Sequence, residues 1–71
     1  MTQEEYNRLK RDIDVLIKAL AILDGDSAAA SCMSAHERRN YVWEAIFLCQ
    51  DRLPDIFRAK MSELIAERDN I

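Results

Sequence analysis

From Tyr6 onward the apolar residues Leu9, Ile13, Leu16, Leu20 and Leu23 recur at alternating spacings of four and three. That rhythm lines one face of an α-helix and predicts a helix over about 3–24. Its start is written as a capping box, Thr2 to Glu5, with Met1 and Tyr6 where a hydrophobic staple would sit. Glu4/Arg8, Lys10/Asp14 and Asp14/Lys18 are i,i+4 pairs on its polar side. Asp24-Gly25-Asp26 supplies its end, with Gly25 in the left-handed position after the last turn. Val15, Ala19 and Ile22 form a second apolar row, so this helix carries more apolar surface than one neighbour can cover.

Residues 25–34 are small and mostly uncharged, a connector with room for a short helical turn. A second capping box, Ser34 with Glu37, opens a helix over about 35–53. Its apolar residues (Tyr41, Val42, Trp43, Ala45, Ile46, Phe47, Leu48, Cys49, Leu53) cover well over half the circumference, which predicts the most buried helix of the molecule. Pro54 either kinks this helix or ends it and opens another over about 54–69. No Gly, Asn or Ser flanks the proline, and Phe57, Met61, Leu64 and Ile65 continue in phase with Ile46, Cys49 and Leu53. Both features weigh toward one long helix kinked at Pro54.

One glycine and one proline in 71 residues leave too few turn formers for a strand-rich fold. The fold class is therefore all-α, a helical hairpin with a long second helix kinked or broken at Pro54. A chain this short buries only about 60% of its unfolded surface. With apolar surface to spare on two helices, residues 1–71 are expected to form one domain that assembles as a dimeric helical bundle. A three-helix monomer is the alternative.

Charge narrows the partners. The formal net charge is −3, with cations interleaved among carboxylates, and this disfavours nucleic acid. The polar, acidic-led start does not read as a signal peptide, and Ile13 to Leu23 is too short and too charged for a membrane span. Two isolated cysteines without CxxC spacing point to a reducing, cytoplasmic setting. Cys32 and His36, four apart, would need two more ligands to hold zinc and a third group and an oxyanion site to act as a nucleophile. Neither metal, cofactor nor catalytic residues are expected, and the chain reads as no enzyme.

What remains is interaction. Trp43 and Phe47 are an i,i+4 aromatic pair of the residue types enriched at binding hot spots. The sequence thus predicts a small cytoplasmic regulator that binds and inhibits another cellular or host protein through a helical, partly apolar surface. Its size is that of many phage- or plasmid-type modulators. Val15, Ile22, Trp43, Phe47 and Met61 are the expected contacts, and a homodimer the expected state. The alternatives are a nucleic-acid-binding dimer using Arg38 and Arg39, and a structural subunit of a larger assembly.

Overall fold

A computed structural model describes residues 2–70, which are helical in α1 (Gln3–Leu23), α2 (Ser27–Ser31), α3 (Ala35–Cys49) and α4 (Pro54–Asp69). The all-α class predicted by the patterning holds for these residues. The helix boundaries have local causes. Thr2 is extended and its hydroxyl accepts from the Glu5 N–H at 3.2 Å, while Ser34 does the same for the Glu37 N–H at 3.1 Å. Met1, and with it the expected staple to Tyr6, lies outside the described residues.

The far end of α1 is a Schellman motif. The Asp26 N–H donates to the Ala21 carbonyl at 3.0 Å and the Gly25 N–H to the Ile22 carbonyl at 3.2 Å, with Gly25 at φ +78°. A side chain at that φ would be strained, so the one glycine stands where the backbone requires it. The connector then holds the five-residue α2, and Arg38 reaches back from α3 to fix it. One guanidinium nitrogen donates to both the Ala30 and Met33 carbonyls at 3.0 Å.

α1 is the central element. Leu9, Ile13, Val15, Leu16, Ala19 and Leu20 are buried, so both of its apolar rows are in use. α3 and α4 each pack against α1 and touch one another far less. α4 contributes Phe57 and Leu64 to the core, and the Arg58–Asp24 ion pair at 3.0 Å ties its first turns to the end of α1. Solvent-accessible ion pairs such as this one, with both side chains about half exposed, add about 1 kcal/mol or less, so the apolar contacts set the arrangement.

Two expectations are corrected. The helix does not run through Pro54: α3 ends at Cys49, Gln50 adopts a left-handed conformation at φ 53°, and α4 begins with Pro54 in its first turn. Pro54 forces Leu53 out of the α region (ψ 130°), and the Asp51 carboxylate accepts the Leu53 N–H at 3.0 Å to close the turn between them. The stripe on α4 is in phase with α3 by coincidence, because Phe57 and Leu64 face α1. Nor is the second long helix the most buried. Only Ala45 of α3 is buried; Tyr41, Ile46, Leu48 and Cys49 pack partly against the core, and Trp43 and Phe47 face outward. Apolar residues spread around a whole circumference cannot all meet one neighbour, and α4 covers α1 instead of the outside of α3.

Candidate functional site

The outward face of α3 follows from its helical spacing. His36, Asn40, Trp43 and Phe47 lie at alternating four and three residues, Gln50 continues the series past the helix end, and all five are exposed. Trp43 is 61% and Phe47 86% exposed, the latter the most exposed large apolar side chain among the described residues. Beside them runs a groove of about 520 Å³ between α1 and α3. Val15, itself 4% exposed, closes its base; Ile46 and Leu48 line it with the two aromatic rings, and Asp12 and Glu44 give it an acidic edge.

Polar pairs hold the groove in shape along the α1–α3 seam. Arg11 lies 3.4 Å from the Glu44 carboxylate, and Lys18 donates to the Tyr41 hydroxyl at 3.2 Å while pairing with Asp14 at 2.9 Å. The hydrogen bond to Asp14, then that to Tyr41, raises the Lys18 pKa above its ordinary value, so the ammonium stays charged at any physiological pH. These are solvent-facing contacts that align α3 on α1 more than they stabilise it.

The structure brings together three of the expected contact residues, Val15, Trp43 and Phe47. Val15 serves as the base of the groove, because its side chain is already buried between the helices. Ile22 is half-buried near the end of α1, and Met61 packs against the core from α4; neither lines the groove. Arg38 is engaged with the connector carbonyls, whereas Arg39 is exposed. The two arginines thus do not form a single cationic patch. Asp12, Glu44, Ile46 and Leu48 were not anticipated as site residues, and only the register of α3 on α1 reveals them.

A second, smaller groove of about 220 Å³ lies between α3 and α4 and includes Leu48, Cys49 and Ile56. Leu48 lines both grooves, and Ile56 in the second is 38% exposed. Burial pushes the Cys49 thiol pKa up, which lowers its thiolate content and its reactivity. Cys32 is exposed, its thiol 3.4 Å from the Ala28 carbonyl, and His36 bonds Asn40 on its own helix at 3.2 Å. No group of three or more potential metal ligands occurs among the described residues, and none of their helices is long and apolar enough to cross a membrane. No family model, curated protein or solved structure matches the chain.

Proposed function

We propose that the protein is a small cytoplasmic regulator that acts without catalysis, by seating another protein on the outward face of α3 and inhibiting it by steric occlusion. One observation carries the reading: Trp43 and Phe47 stand 61% and 86% exposed beside an apolar groove. Keeping two aromatic rings in water forgoes about 1.5–3 kcal/mol of burial for a side chain of this size, and contact with a partner recovers it. Large aromatic anchors next to a groove with a charged edge have the make-up of an interface centre with its polar rim. The expected target is a cellular protein, of host origin if the chain is a phage- or plasmid-type modulator, presenting an apolar side chain to the groove and a cation to the Asp12 carboxylate at its edge.

Affinity capture from the native cytoplasm tests this directly. The wild-type chain should retain a protein that Phe47→Glu loses and that Ile17→Ser, altering an exposed apolar residue on α1, keeps. Recovery of nucleic acid alone, or the same protein on all three baits, would count against the reading.

A further inference from the structure

We propose that the same face pairs with a second copy of this chain, in a twofold dimer whose two α3 helices run antiparallel and cross between Trp43 and Phe47. The inference rests on the reading of this face as an interaction surface, and it assigns a resting occupant that a target must displace.

Surface area comes first. The chain exposes 5128 Å², whereas a compact monomer of 8.2 kDa is expected to expose about 4,500 Å². The excess, about 600 Å² per chain, doubles to about 1,200 Å² across two copies, the lower bound for a specific interface. At 61% and 86% exposure, Trp43 and Phe47 together present roughly 300 Å², about half of that excess.

Sequence order along the face supplies the symmetry. His36, Asn40, Trp43, Phe47 and Gln50 read polar, polar, aromatic, aromatic, polar. An isologous contact needs one patch that complements itself when turned about a twofold axis. With the axis level with Ala45, Trp43 stacks on Phe47 of the second copy twice over, and Asn40 meets Gln50 of the second copy at each end, amide to amide. The aromatic pairs then form a dry centre and the amides a hydrogen-bonding rim. The Asp12 and Glu44 carboxylates stay at the edge of the contact, with Arg11 already neutralising Glu44. Small helical chains without disulfide or metal commonly gain missing burial in this way.

An interface at the lower size bound is weak and exchangeable, which suits a face that must also take a target. Dimer and target complex exclude one another, so the apparent target affinity falls in proportion to the fraction of chain held as dimer.

Sedimentation equilibrium of the purified full chain over low- to high-micromolar concentrations tests the dimer without any target. The expected result is a reversible monomer–dimer equilibrium, with Trp43 emission shifting to the blue as dimer forms. Phe47→Glu should raise the dissociation constant by tenfold or more, because it sets carboxylates against the aromatic centre twice. A matching circular-dichroism melt of that variant at low concentration shows that the monomer still folds. A wild-type chain that stays monomeric throughout, or a dimer indifferent to Phe47→Glu, would overturn the proposal. A monomer that still captures a target through Phe47 would sink the dimer alone. A dimer that captures nothing would sink the regulatory reading alone.

Discussion

α1 and α3 are both rich in apolar residues, yet one is buried and the other is largely uncovered. α1 concentrates its apolar positions into two adjoining rows, Leu9-Ile13-Leu16-Leu20 and Val15-Ala19, and each row has a helix to meet. α3 distributes them around its axis, and with α1 as its one extensive neighbour it buries Ala45 alone. The angular arrangement of apolar side chains, and not their number, decides how much of a helix is buried. The surplus on α3 is then apolar surface that folding of one chain leaves uncovered.

The sharpest way to break this contrast is to truncate large apolar side chains to alanine in the two regions. Leu16→Ala and Phe57→Ala empty fully buried positions on α1 and on the helix that covers it. Each should lower the unfolding free energy by about 3–5 kcal/mol in urea titrations. For a domain of this size that is most of the available stability, so partial unfolding at room temperature is the expected readout. Ile46→Ala, on the inner side of α3 but only half-buried, should fall at about 1–2 kcal/mol, because a site open to solvent leaves a smaller cavity behind. Equal losses at Leu16 and Ile46 would erase the distinction between the helices.

The next effect concerns how α3 is held. Arg38→Ala removes two hydrogen bonds to the Ala30 and Met33 carbonyls, at an expected cost of about 1–2 kcal/mol. Hydrogen exchange should show the loss first in the amides of 27–34. Because Arg38 is occupied in this way, its removal should leave target capture and dimerisation close to wild type when measured on folded protein. A selective loss of binding would instead restore the arginine pair as a functional patch.

How much of this was legible in the sequence depends on where the determining contact lies. α1 was readable end to end because its signals are local: a capping box, an unbroken stripe and a glycine at the one position that demands positive φ. The break before Pro54 was not, since the left-handed residue is Gln50 where a glycine would have announced it, and the turn is closed by the Asp51 side chain. The aromatic pair on α3 was visible as i,i+4 spacing. That Val15 would lie beneath it, and that Asp12 and Glu44 would edge the groove, depends on the register of α3 against α1, which no local pattern encodes. The structural role of Arg38, which the sequence offers only as a candidate nucleic-acid contact, is hidden for the same reason: its acceptors are backbone carbonyls of a connector whose path only packing defines.

The two helix ends allow a finer comparison. Gly25 and Gln50 both adopt positive φ, one with no side chain and one with a long one. A Cβ added at Gly25 meets nothing within 4 Å, so Gly25→Ala should cost only the backbone strain, about 1 kcal/mol. Gln50→Gly should relieve a similar strain and stabilise the chain by up to about 1 kcal/mol. Matched thermal melts give the two signs directly.

The smallest expected change is also the most informative. Phe47→Ser deletes the most exposed large apolar side chain among the described residues, and in the monomer it removes almost no buried contact. Its effect on unfolding should stay within about 0.5 kcal/mol at low protein concentration, the range of ordinary surface substitutions. At high concentration the wild-type chain should gain stability that the variant does not, because an associated native state is favoured by mass action while the unfolded chain is not. A concentration-dependent gap between the two melts therefore separates a residue that the fold does not use from one that nothing uses. A gap already present at the lowest concentration would mean that Phe47 packs against its own chain, and that α3 is covered after all.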